Sequence, residues 1–563
     1  MNGTPPTKPD QPGHQGSGPA KVALSAGHHV TTGFLPSPAQ PDAKQDPARA
    51  RLGAVDQDHA RKYLFARGYF HGLQLPEYFR PSGLDTINPP LTDRLAWTKP
   101  VYIDAPKGPH AWRRFALLHP YAFYSLVNVV TQPDAWHTIR AHLTRRTRVT
   151  AFTLPTLNLE TSPSADGITG YGALETQILL TPPSYSHLAV ADISNFYPSV
   201  YTHSIAWALH GKHTAKAARR DKNQLGNQLD AAFQAAHEGQ TNGLLIGNAC
   251  SDIASEIILA DIDTTFMKAL EIKKLDARAF RFRDDYRIVC RSQSDAQSIL
   301  STLSDILHQS YDLTLNDQKS GVYDNVLAGV TRPWKAAIRE DATLSPVYFG
   351  PRDLPIRPHD LLPILEATYA VQRAFPEGRP AIMVLQKLVD RWHLGPSNSR
   401  RSRGKSTGGT TTVSAETIRR AAALLLRLML LREDATPWAV VLMHELLTTA
   451  GLVARRDIIE FMLGALEGME GTGFQGIWIH RLGLAADIDP PLPASVTNHP
   501  LMKMIQDPDR PAHELFPILD GTDPQALGDC TQFTLVDKTA LREARNRPVP
   551  RSAINVFDSM TSS

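Results

Sequence analysis

Residues 280–289 read FRFRDDYRIV, with ARA before them and CR after. Phe280 and Phe282 alternate with arginines up to an Asp284–Asp285 pair, and Tyr286, Ile288 and Cys290 alternate beyond it. A period of two marks a strand, because successive side chains leave opposite faces. Two such runs around a short polar break predict a β-hairpin with both carboxylates at its tip. Upstream, HLAVADISNFY (187–197) carries an apolar run that stops at Asp192, as expected of a buried strand presenting one side chain at its end. Tyr197 follows on the turn into the next helix.

Between these segments lies TNGLLIGNACSDIASEIILADID (241–263), a glycine-punctuated loop that feeds a helix from about Ser251. Ile253, Ile257 and Ala260 recur at helical spacing, and Ala254, Ile258 and Ile262 widen the apolar stripe. Beyond the hairpin, LTLNDQKSGVY (313–323) carries Lys319. Singly these signals are ordinary. An Asp pair commonly serves a turn, a strand-end Asp caps a helix, a Tyr packs in a core and a Lys is solvated. Together and in this order they suit nucleotidyl transfer, which must neutralise a triphosphate and activate a hydroxyl. Two magnesium ions about 3.5–4 Å apart do both, and magnesium takes hard oxygen ligands, usually from one or two carboxylates. Crowding Asp192, Asp284 and Asp285 is costly unless cations bind there.

The chain has 563 residues, 42% hydrophobic and 20% charged, so it predicts several folded domains and excludes wholesale disorder. A net charge of +3 does not announce a polyanion partner, but basic clusters at Arg140–Arg148, Lys212–Lys222 and Arg400–Lys405 are phosphate-facing candidates. The competing reading of each is a solvated face. Three cysteines without CxxC spacing exclude a cysteine zinc site and a disulfide framework, which fits a cytoplasmic protein. No apolar run reaches the roughly 20 residues that cross a bilayer, and no signal peptide is read at the N-terminus. GKST (404–407) lacks the glycine and preceding strand of a phosphate-binding loop.

Residues 1–50, rich in Pro, Gly, Ser and Gln, read as a disordered leader. Residues 51–340 mix short strands with helices, including VYIDA (101–105) and RRFALLH (113–119) as strands. Residues 341–563 are dominated by amphipathic helices such as AETIRRAAALLLRLMLL (415–431), with a mobile basic loop over 395–414. The expected fold class is α+β, followed by an α-helical, repeat-like C-terminal domain.

The four segments resemble motifs A to D of reverse transcriptases, over about 185–325 and more loosely back to about 55. The wording is closest to bacterial defence-associated and abortive-infection enzymes of the unknown group. It is carried by ARGYF (66–70), LPEYF (75–79), RRFALLHPYAFY (113–124), DISNFYPSVYTHSIAWALHGK (192–212), GLLIG (243–247), SEIIL (255–259) and RDDYRIV (283–289). The resemblance implies a right-hand polymerase with fingers and palm. Asp192, Asp284 and Asp285 match the metal-binding catalytic aspartates, for two Mg²⁺ with Mn²⁺ able to substitute. Lys319 matches the lysine that protonates departing pyrophosphate, and Tyr197 matches the steric gate that favours deoxynucleotides. Arg113 or Arg114 would clamp the triphosphate, while Gly247 and Ser251 would shape the base and template side. Three departures stand out: Leu245-Ile246 replace the usual Pro-Gln, Phe282 replaces a Tyr, and Arg283 replaces a small or apolar residue. Arg283 is therefore a candidate reader of a primer phosphate or incoming triphosphate.

The implied partners are deoxynucleoside triphosphates, an RNA template or noncoding RNA, and the DNA product, without a membrane. Some relatives form homo-oligomers and prime on a protein hydroxyl. The function implied is RNA-directed or template-independent DNA synthesis in antiviral defence. The alternatives are a mobile-element reverse transcriptase and a non-catalytic nucleic-acid-binding scaffold; no nuclease signature supports the former.

Overall fold

In the computed structural model the hairpin forms, but its turn falls one residue earlier than the sequence pattern suggests. Phe282 pairs with Asp285, so Arg283 and Asp284 make the loop and Asp285 opens the second strand. Pairing extends that far because Asp192 of a third strand lies opposite Asp285 and prolongs the ladder. Arg283 takes the left-handed conformation (φ 53°), which is uncommon for a residue with a side chain. The described residues are 47–89, 95–108, 111–145, 147–157, 171–351, 356–392 and 413–551. Arg400–Lys405, most of the expected 395–414 loop and all but the last four residues of the 1–50 leader lie outside them.

The strands are β1 (Phe79–Ser82), β2 (Val101–Gly108), β3 (Ala111–Leu117), β4 (Val149–Ala151), β5 (His187–Asp192), β6 (Ala277–Phe282), β7 (Asp285–Cys290), β8 (Gly321–Tyr323) and β9 (Thr534–Val536). Five of them form one sheet in the order β4-β6-β7-β5-β8, antiparallel except for β4 with β6. Side-chain alternation gives this sheet two apolar faces. Ala189, Ala191, Tyr286, Ile288 and Cys290 join the main core, which includes the long helix Ala249–Ile272. Leu188, Val190, Phe280, Phe282 and Val289 pack instead with Leu174 and Ile178 of the helix Tyr171–Leu179 and with Val330. Every residue of β7 is buried, so its charged members must find partners inside the protein.

Strands β2 and β3 form a separate hairpin, and β1 pairs with β9. The helices Leu361–Ala374, Pro380–Trp392, Ala415–Leu431, Thr436–Thr448, Leu452–Gly464 and Gly473–Ala485 pack together, the first against the second and third and the fourth against the second, third and sixth. They also grip the N-terminal part of the chain. Arg481 pairs with Glu77 at 2.7 Å, Trp478 Nε1 donates to Gln74 O, and Arg113 pairs with Glu433 at 2.9 Å. Ala43–Ser563 is accordingly one compact unit. All three cysteines are buried thiols. Among the described residues no helix is long and apolar enough to cross a membrane.

Candidate active site

The apolar run of β5 drives Leu188–Ala191 into the interior and leaves Asp192 half-buried at the strand end. Its backbone is held on both sides. Its N–H donates to Ser320 Oγ at 3.1 Å, and its carbonyl accepts from Asn316 N at 2.8 Å. One residue on, Ile193 N donates to Asp284 O at 3.1 Å, which ties this strand end to the hairpin loop. Asp192 thus meets the Asp284–Asp285 pair, distant from it in sequence, at one end of the sheet.

Their charges feel each other. Burial, then the neighbouring Asp192 and Asp285 carboxylates, push Asp284 up to about 6. Burial also raises Asp192; Lys319 opposes that shift and Asp285 adds to it. Asp285 differs from the other two. It is buried and bonds Arg287 through one oxygen and Arg332 through the other, the latter at 3.0 Å. Among the described residues no group of three or more His, Cys, Asp or Glu side chains is arranged to hold a metal ion. The donors are nonetheless the hard oxygens magnesium uses, and the raised Asp284 reflects burial together with a carboxylate repulsion that a cation would relieve.

Two lysines face this acidic end. Lys319 reaches Glu377 at 3.1 Å and acts on Asp192 through space. Lys107, near the loop of the β2–β3 hairpin, acts on Asp192 as well. Burial lowers the pKa of Lys107, and the nearby Arg113 and Lys319 lower it further. Clustered cations of this kind favour an anionic guest. Sequence reading did not single out Lys107, although its place in PKG between two strands was a signal. The two arginines it did favour are committed elsewhere. Arg114 makes a bidentate pair with Asp104 (2.8 and 3.1 Å) and lies over the Tyr102 ring, while Arg113 is held by Glu433.

The Tyr197 hydroxyl donates to Asp252 and contacts Ser255 Oγ at 3.2 Å. Arg283 donates to the same hydroxyl at 3.2 Å and to Asp252 at 3.5 Å, and His71 Nδ1 bonds the same Asp252 oxygen. Burial raises Asp252, but Arg283, His71 and the hydrogen bonds outweigh it and hold this carboxyl at about 2. Arg283 is further anchored through its N–H to Thr153 Oγ1 at 3.0 Å. Its guanidinium is therefore engaged by Asp252 and Tyr197.

Arg281, fully buried, pairs with both Glu256 and Asp263 at 3.0 Å and so bolts β6 to the helix Ala249–Ile272. Gly247 sits at φ 120°, open to glycine alone at low cost, where Ala116 N donates to the adjacent Ile246 O at 2.8 Å. The loop is thereby docked on β3. Ser251 is wholly buried; its N–H donates to Asn248 Oδ1 at 2.9 Å and its Oγ accepts from Asn248 Nδ2 at 3.0 Å. It lies in the first turn of the helix Ala249–Ile272, which Asn248 caps.

These elements define a mixed helix-and-sheet protein whose central sheet carries three aspartates at one end, faced by two lysines. No protein-family model and no curated protein matches the chain. Similar solved structures include apo telomerase from Candida tropicalis, at 12% identity and a TM-score of 0.29, covering 80% of this chain and 71% of that one. Telomerase from Candida albicans, in complex with a fragment of telomeric RNA, is similar at 12% identity and a TM-score of 0.26, covering 69% of this chain and 64% of that one. Both likenesses are coarse.

Proposed function

We propose that this chain is a nucleotidyltransferase of the reverse-transcriptase type, adding deoxynucleotides to a growing strand. The observation that supports this reading is the register that sets Asp192 opposite Asp285, with Asp284 on the adjoining loop and Lys107 and Lys319 facing them. Asp192, Asp284 and Asp285 would hold two magnesium ions, which when bound draw charge from the triphosphate and lower the pKa of the attacking hydroxyl. Lys107 and Lys319 neutralise phosphate oxygens. Lys319 also hands a proton to the departing pyrophosphate. The Tyr197 ring lies under the sugar and leaves no room for a 2′-hydroxyl. The template is an RNA, or the enzyme extends without one, and the motif wording supports a role in antiviral defence.

The test is incorporation of labelled deoxynucleotides by the full-length protein with Mg²⁺. Asp192→Asn and Asp284→Asn should each lower the rate on the order of a thousandfold, several kcal/mol of transition-state stabilisation. Wild-type rates in both variants would overturn the assignment. A non-catalytic scaffold is the second reading, favoured by the neutralisation of Asp285 by Arg287 and Arg332. It requires that wild type and variants be equally inactive while still binding nucleic acid.

A further inference from the structure

Tyr197 belongs to the short helix Phe196–Ser199 directly after the Asp192 strand. Its own carbonyl accepts from Leu244 N at 2.8 Å, which fixes the backbone but leaves the ring to be positioned by other groups. An aromatic ring excludes a hydroxyl only while it cannot swing away, so whatever holds the ring sets the strictness of exclusion. Here the holder is at the far end of the ring. The hydroxyl donates to Asp252 on the helix Ala249–Ile272, and Arg283 donates back to it from the hairpin loop.

Asp252 is itself held. His71, buried on the segment beyond the helix Gln57–Arg67, bonds its second oxygen, and Arg283 shares that oxygen. Hydrogen bonds with one ionised partner are stronger and shorter than neutral ones, so this arrangement resists rotation. The space behind the ring is nearly full. The cavity bounded by Tyr63, His71, Thr153, Tyr197, Asp252 and Arg283 has a volume of about 20 Å³, enough for about one water. A loosened ring would need that space. The same carboxylate also grips Arg283, the residue before Asp284, so one side chain couples the ring to the loop that carries a candidate catalytic group.

We propose that Asp252, oriented by His71, is the positioning residue that sets sugar discrimination, by holding Tyr197 against the 2′ position of the incoming nucleoside triphosphate. This rests on the polymerase reading above. The substrate class that should gain from its loss is the ribonucleoside triphosphates.

The experiment compares the full-length wild type with Asp252→Asn, His71→Gln, Tyr197→Phe and Tyr197→Val. Two quantities are read: the ratio of kcat/KM for dTTP over UTP on poly(rA) primed with oligo(dT), and the ratio of affinities for dATP over ATP by competition against a fluorescent dATP. Tyr197→Phe keeps the ring and cuts the tether; Tyr197→Val removes the ring. Both ratios should fall roughly tenfold or more in Asp252→Asn and Tyr197→Phe, as expected for one lost hydrogen bond to a charged group. His71→Gln should show a smaller fall of the same sign. If Tyr197→Val relaxes the ratios but Tyr197→Phe and Asp252→Asn match wild type, the tether is irrelevant and the inference is overturned. If Tyr197→Val leaves them unchanged, the assignment of Tyr197 fails, and the inference with it. Should Asp252→Asn lose its thermal transition, Tyr197→Phe and His71→Gln decide alone.

Discussion

Replacing Asp284 with asparagine should lower activity on the order of a thousandfold and yet stabilise the protein. Folding raises this carboxyl from 3.8 to about 6, because burial and the Asp192 and Asp285 charges disfavour its ionised form. Above about pH 6 both states are ionised and the folded state carries the whole penalty. Below about pH 4 both are protonated and the penalty vanishes. A shift near two units corresponds to about 3 kcal/mol at roughly 1.36 kcal/mol per unit. Asp284 keeps some contact with solvent, so about 1–3 kcal/mol is the working figure. With an unfolding entropy of roughly 2.1 cal/mol/K per residue, 563 residues give about 1.2 kcal/mol/K and a melting shift of about 1–3 °C. Thermal melts of wild type and Asp284→Asn from about pH 4 to pH 8 should diverge as pH rises, the variant melting higher. Millimolar Mg²⁺ should raise wild type and close the gap. An advantage that is absent at high pH, or an identical Mg²⁺ response in the two proteins, would refute the crowded-carboxylate reasoning.

Arg281→Met leaves Glu256 and Asp263 buried without their cation and should cost about 3–5 kcal/mol, seen as a drop of several degrees in the melting temperature. A melt within a degree of wild type would show that the pairs contribute nothing. Arg332→Gln removes a cation that competes for Asp285, so the Mg²⁺ concentration giving half of the thermal stabilisation should fall about three- to tenfold. An unchanged midpoint would mean that Arg332 does not hold Asp285 away from a metal.

What was legible in the sequence was local. Alternation over 277–291 was enough for the hairpin, and the abrupt end of the apolar run at Asp192 was enough for a strand presenting a carboxylate. Helical spacing from Ile253 to Ile262 was enough for the long helix, whose stripe is buried. These follow from side chains within one turn or one pleat of each other, so a short window contains the cause. The turn residues did not follow, since the strand opposite lengthened the ladder and moved the loop to Arg283 and Asp284.

Everything about charge was decided by tertiary structure. Asp285 looks like its neighbour Asp284 in sequence, but the former meets Arg287 and Arg332 while the latter meets other carboxylates. Arg113 and Arg114 stand side by side, and one goes to Glu433 while the other goes to Asp104. Lys107 gained its place facing Asp192, and Asp252 its grip on Tyr197, from segments that only folding brings near. Backbone periodicity is a property of neighbours along the chain, whereas an ion's partner is whatever opposite charge the packed chain sets within a few ångströms of it.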